Sequence, residues 1–173
     1  QAFEPNGTGS RVLGQKDFYD RYPSWSLMGR MIADTRQAVD ALLACEQVDP
    51  KQIYLVGYAN GGSVALLTAA QDTRVTGVAC IAGFSLLRGK GDDPALGGNQ
   101  QYWRNFGLMP RMGLFAGRED QVPLDWQDVL AAIAPRRVLV VAPQHDQYAE
   151  HEQVIKQIEQ AAHIYSRLGT ANA

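Results

Sequence analysis

Ile53-Tyr54-Leu55-Val56-Gly57-Tyr58-Ala59-Asn60-Gly61-Gly62 is the stretch on which the reading of this chain turns. Four apolar residues run into a glycine, two more glycines follow, and a helix-forming run, Ser63 to Ala70, comes next. A strand, a sharp turn and a helix in direct succession form the geometry of a nucleophile elbow, whose apex residue is held in an unfavourable backbone conformation. Gly57 and Gly61, two before and two after the apex, are expected to be required, because larger side chains would collide across so tight a turn. The usual pattern is G-x-S-x-G. Here it reads Gly57-Tyr58-Ala59-Asn60-Gly61, so everything that shapes the turn is present and only the serine hydroxyl is missing. Glycine-rich strand-to-helix turns also cradle phosphates, but G-x-x-x-G-G has neither the dinucleotide nor the P-loop spacing, which disfavours a nucleotide-binding domain.

The bulk numbers fit one globular domain of modest size with a substantial core: 173 residues, 46% apolar, 20% charged, net charge −2. Basic residues are scattered, so no nucleic-acid partner is expected. Arg136-Arg137 reads as the start of a strand. The apolar runs are too short to span a bilayer, and no secretory segment leads the chain, although Gln1 is not an initiator methionine and this absence says little. Cys45, late in a helical pattern, and Cys80, inside a strand pattern, read as small buried or half-buried residues and not as a disulfide. Neither has a histidine near it to activate a thiol. His145 and His151 are six residues apart, which is not one face of a helix, so no metal site and no cofactor are expected.

Residues 1–23 are rich in Gly, Pro, Asn and Ser and read as an irregular loop after at most a stub of strand. From Ser24, the residues Trp25, Met28, Ile32, Val39 and Leu43 recur at helical spacing up to Val48-Asp49-Pro50. Strands are expected at 53–57, 75–82 and 137–142, apolar throughout as in parallel sheets covered on both faces. Helices are expected at 61–71, 123–133 and 149–168. Between them, residues 84–122 form a long insertion whose Tyr102, Trp103, Phe106 and Phe115 imply a packed, lid-like excursion. The alternation predicts an α/β fold, a parallel sheet with helices on both faces in a single domain.

The chain resembles the α/β-hydrolase superfamily, and within it the esterases similar to dienelactone hydrolases and acetyl xylan esterases. The elbow carries most of the resemblance. Support comes from the Gly7–Arg11 loop, from Phe18-Tyr19 followed by Tyr22–Gly29, from Val48-Asp49-Pro50 and from Ala134-Pro135-Arg136-Arg137-Val138-Leu139. The resemblance implies a partial α/β-hydrolase fold, since only three strands are legible and the front strands and the last strand are missing. It implies that the chain is completed by further polypeptide, a second chain or self-association.

The resemblance also implies a site for a small-molecule ester substrate. Ala59 stands at the nucleophile position, and the backbone N–H of Asn60 is one oxyanion donor. The Gly7–Arg11 loop is a candidate for the second donor. Asp146, just past the last legible strand, is the candidate triad acid, its competing reading being a helix cap or turn residue. Of the histidines, His163 reads as a helix residue, His151 as solvent-facing between Glu150 and Glu152, and His145 as out of reach. The catalytic histidine is therefore expected to be absent from the chain. Tyr58, Trp103 and Phe106 are candidates for the substrate wall. The expected function is a serine-type carboxylic ester hydrolase scaffold, inactive as written because alanine replaces the nucleophile. The rival reading is a non-catalytic binding or assembly module that kept the fold.

Overall fold

The computed structural model describes residues 10–89 and 97–169. Its elements run α1 (Ser10–Arg21), α2 (Leu27–Leu43), β1 (Tyr54–Tyr58), α3 (Asn60–Gln71), β2 (Gly77–Ile81), α4 (Gly98–Gln100), α5 (Trp126–Ile133), β3 (Arg137–Val141) and α6 (His151–Arg167). The strands form one parallel sheet in the order β1-β2-β3. Tyr54, Gly77 and Arg137 lie side by side in register, and so do Tyr58, Ile81 and Val141 at the other end.

Local chemistry explains most of these elements. Ser26 caps α2 by accepting the Gly29 N–H at 2.9 Å, and the helix then buries Met28, Ile32 and Val39 at the spacing of one face. Asp125 and Asp128 make a reciprocal capping box at the start of α5. Helix α1 overturns the reading of residues 1–23 as irregular from Ser10 onward. Tertiary contacts hold it: Gln15 donates to the Phe106 carbonyl at 2.7 Å and Tyr19 to the Gly107 carbonyl at 2.6 Å. Such contacts outweigh weak local propensity and leave no trace in local periodicity. Cys45 lies just beyond α2 and is exposed, not buried as expected; Cys80 is buried and both thiols are free.

Helix α3 packs on β1 and β2, α5 packs on α3 and against β3, and α6 packs on α5. Both crossovers step the sheet in the same direction, and crossovers of one hand then place their helices on one face. The expectation of helices on both faces is met on that face only. The opposite face, with Tyr54, Val56, Tyr58, Leu139 and Val141, is open.

Residues 84–122 are packed as expected where they are described. Tyr102 and Trp126 are 1% exposed with ring centroids 6.0 Å apart, and Phe84 stacks on Trp126 at 5.0 Å. The buried Asp125 carboxylate clamps the two ends of the excursion together. It accepts from the N–H groups of Leu87 at 3.0 Å, Arg88 at 2.9 Å and Trp126 at 2.8 Å.

The elbow is fixed by backbone meeting backbone. A Cβ on Gly57 would lie 2.1 Å from the Gly61 carbonyl oxygen, which no rotamer can relieve. A Cβ on Gly62 would lie 2.8 Å from Cys80 Sγ and 2.9 Å from Gly83 Cα. One on Gly61 would meet nothing within 4 Å, so the second close approach belongs to Gly62 and not, as the pattern suggested, to Gly61.

Three outcomes are expected in denaturant titrations. Gly57→Ala costs more than about 4 kcal/mol or abolishes folding, and Gly62→Ala costs about 1–3 kcal/mol through overpacking. Gly61→Ala, at an open helical position, is neutral or stabilises by up to about 1 kcal/mol. Separately, the hydrogen bonds from Arg74 hold the carboxyl of Asp72 down at about 2 although burial opposes this, and Arg36 adds attraction at 3.5 Å. A depressed carboxyl contributes stability that is present above its ordinary pKa and lost as pH falls through the folded value. Because Arg74 is partly exposed, Asp72→Asn is expected to cost about 1–2 kcal/mol at pH 7, with the difference from wild type closing between about pH 4 and pH 2.

Candidate active site

The candidate site residues lie around the carboxyl ends of the strands, where ligands bind in open α/β sheets. Ala59 has φ 50° and ψ −126°, a region that side-chain-bearing residues rarely adopt. Its N–H donates to the Ile81 carbonyl at 2.9 Å, and its carbonyl accepts the Gly62 N–H at 2.8 Å. The apex thus belongs to both the sheet ladder and the first turn of α3. Ala59 is exposed at the carboxyl edge of the sheet. Asn60 opens α3, where backbone N–H groups have no acceptor within the helix and carry the positive end of its dipole. An oxyanion beside residue 59 would find that donor in place.

A second strained alanine, Ala82, sits one strand away at φ 50°. Its N–H donates to the Val141 carbonyl at 2.9 Å, the same continuation of the ladder that Ala59 makes. Sequence reading missed it; the available signal was Ala82-Gly83 closing an apolar strand as Tyr58-Ala59 closes β1. The two turns are joined beneath by Ser63, whose hydroxyl donates to the Gly83 carbonyl and lies 3.3 Å from the Tyr102 hydroxyl. Burial pushes the Cys80 thiol below them up to about 12 and the Tyr102 phenol well above its ordinary range. Both stay protonated at neutral pH, so neither is an anionic nucleophile.

Asp146 is half-buried past the end of β3, and its carboxylate accepts the Tyr148 N–H at 2.8 Å. It closes an Asx turn and does not cap α6, whose N-cap is Glu150. With His151, Ala82, Phe84 and Val141 it lines a small pocket at the ends of β2 and β3. His151 is not the solvent-facing residue expected. It is half-buried on the face that α6 turns inward with Val154 and Ile158, and its Nδ1 is shielded with no partner among the described residues. The i, i+3, i+7 spacing was the signal, and the flanking glutamates obscured it. No hydrogen bond or ion pair joins Asp146 to a histidine among the described residues, and His145 and His163 are exposed.

The expected substrate-wall residues are not gathered in one place. Phe106 meets Tyr148 edge-on at 6.5 Å, which brings it beside the turn held by Asp146. Trp103 packs over Gly113, with its indole N–H buried and unpartnered among the described residues. Tyr58 lies on the open face of the sheet. Gly7–Gly9 of the candidate oxyanion loop lie outside the described residues, and Ser10 and Arg11 begin α1. Among the described residues no group of three or more His, Cys, Asp or Glu is placed to hold a metal, and no helix is long and apolar enough to cross a membrane.

A family model described as "Glucuronyl esterase, fungi" matches residues 3–169. A search of curated proteins found no match. Among solved structures, a promiscuous carbohydrate esterase family 15 enzyme from a marine bacterial metagenome superposes with a TM-score of 0.73 at 22% identity, over 99% of this chain and 44% of its own. The family 15 glucuronoyl esterase from Caldicellulosiruptor kristjansonii gives 0.72 at 22%, over 90% and 47%. The glucuronoyl esterase catalytic domain from Hypocrea jecorina gives 0.71 at 18%, over 90% and 46%. At these identities the structures establish a shared α/β-hydrolase-type fold, and this chain spans less than half the length of each of them. The elbow between a parallel strand and a helix, the order of the elements around it and the match over residues 3–169 lead to one conclusion: the chain belongs to the glucuronyl esterase family.

Proposed function

We propose that this chain carries the nucleophile half of a serine-type carboxylic ester hydrolase acting on esters of sugar acids, with position 59 as the nucleophile site. The observation that carries the reading is the backbone of Ala59, strained at φ 50° immediately before a helix start, where the family membership makes an ester-hydrolase scaffold the frame. With a serine there, the hydroxyl would attack the ester carbonyl and the Asn60 N–H would stabilise the developing oxyanion. Asp146 would orient the histidine that takes the serine proton and returns it to the leaving alcohol. Phe106, beside the turn held by Asp146, would wall the substrate, and a sugar ring suits its aromatic face. The chain as written lacks the attacking oxygen and is inactive on this reading. The wider similarity to dienelactone hydrolases and acetyl xylan esterases is part of the proposal, since it rests on sequence patterns alone, the elbow above all.

Alanine is the informative residue here. Glycine would relieve the strain of about 1–3 kcal/mol that a Cβ brings to this backbone. Alanine keeps the Cβ and removes only the hydroxyl.

The test is Ala59→Ser in the longest natural polypeptide that contains this chain, assayed with a glucuronate ester, short-chain p-nitrophenyl esters and a fluorophosphonate probe. Labelling at residue 59 and at least about a thousandfold gain in turnover over Ala59 are expected. Asp146→Asn in that background is expected to lower kcat by up to about ten-thousandfold. Ala59→Gly is expected to stabilise the fold without restoring turnover. A folded Ala59→Ser protein that takes no label and turns over no ester would leave a binding module in place of the enzyme.

A further inference from the structure

Ser63, in the first turn of α3, is fully buried and bonded on two sides. Its N–H donates to the Ala59 carbonyl at 3.3 Å, and its hydroxyl donates to the carbonyl of Gly83, the residue after Ala82. One residue thus reaches both strained turns from beneath. A hydroxyl has a single proton to give, and a carbonyl can only accept. The Ser63 proton is therefore spent on Gly83, and the Tyr102 phenol, 3.3 Å away, is the donor to Ser63 Oγ. The bonds run from Tyr102 O–H to Ser63 O–H to the Gly83 carbonyl, a buried chain in which each bond polarises the next. Tyr102 brings the excursion between β2 and α5 to this chain. It lies in a π-helical turn, Gln101–Asn105, a rare conformation that is frequent at functional sites. Its own carbonyl accepts the N–H groups of Leu108 at 2.7 Å and Met109 at 2.9 Å, so it also fixes the turn that follows Phe106. Its ring packs against Trp126 independently of the hydroxyl.

We infer that Tyr102 and Ser63 are positioning residues of the site: their hydroxyl chain sets where the turns at Ala59 and Ala82 stand relative to the segment that carries Phe106. Neither hydroxyl touches substrate on this reading, and both act through backbone carbonyls. Cutting the chain leaves a buried hydroxyl or the Gly83 carbonyl without its partner, at the one place where the two turns meet. The functional consequence rests on the reading of residue 59 as the nucleophile position. A sugar ring held against Phe106 is then tied through Tyr102 and Ser63 to the backbone that presents residue 59. The link itself does not rest on that reading, because each of its bonds is present with alanine at 59.

Native-state hydrogen exchange and alanine 13C NMR on the longest natural polypeptide carrying this chain test the assignment. Tyr102→Phe removes only the phenol oxygen and keeps the ring against Trp126. The expected result is amide exchange about fivefold faster at Ser63 and Ala82, with amides inside α6 such as Ile158 unchanged. The 13Cβ resonances of Ala59 and Ala82 are expected to shift, which a mere loss of stability does not cause. In a Ser63→Ala background, Tyr102→Phe is expected to add nothing to either signal, because Ser63 is the link. Unmoved alanine resonances in a folded Tyr102→Phe protein overturn the proposal. So does exchange that accelerates uniformly, α6 included, since that marks global destabilisation alone. If Ser63→Ala fails to fold, the Tyr102→Phe comparison decides by itself. None of these signals needs a hydroxyl at residue 59, so a failure here and a failure of Ala59→Ser to turn over ester are told apart.

Discussion

The contact on which the rest depends is the approach of backbone to backbone where the chain leaves β1 and β2. Gly57 faces Gly61, and Gly62 faces Gly83, at distances that leave no room for a Cβ. Because those atoms are main chain, the contact fixes the direction in which α3 leaves the sheet and not merely its side-chain packing. Everything on the covered face follows from that direction. Helix α3 carries Val64, Ala65, Leu66 and Ala69 into the core, and α2 and α5 pack on it in turn. Ser63 then spends its hydroxyl on the Gly83 carbonyl, satisfying a buried acceptor at the seam.

The chain's parts were legible in sequence to the degree that local patterns fix them. The elbow was readable because β1, the glycines and α3 are contiguous and each has its own signature. The capped α2 and the apolar α5 were readable for the same reason. Helix α1 was not, because it is held by hydrogen bonds to the carbonyls of Phe106 and Gly107, far away in the chain. The role of Gly62 was hidden because its neighbour, Gly83, is likewise remote in sequence. The open sheet face could not be read from composition, since an apolar strand looks the same whether one face or two are covered. Within the site, residue 59 and Asn60 came from one contiguous motif. The inward turn of His151 came from helical phase, which the flanking glutamates masked.

The two alanines at φ 50° show what holds the turn. Ala59 and Ala82 each continue the sheet ladder by one bond, to the carbonyls of Ile81 and Val141. Each ladder bond contributes about 1 kcal/mol, comparable to the strain of such a backbone. The conformation is thus held by the parallel register and by the glycine contacts around it. Nothing in it requires a nucleophile. An elbow is a property of the sheet's edge first, and its geometry needs no particular side chain at the apex. The turn fixes where an apex side chain stands and leaves the placement of any partner group to the loops beyond β3.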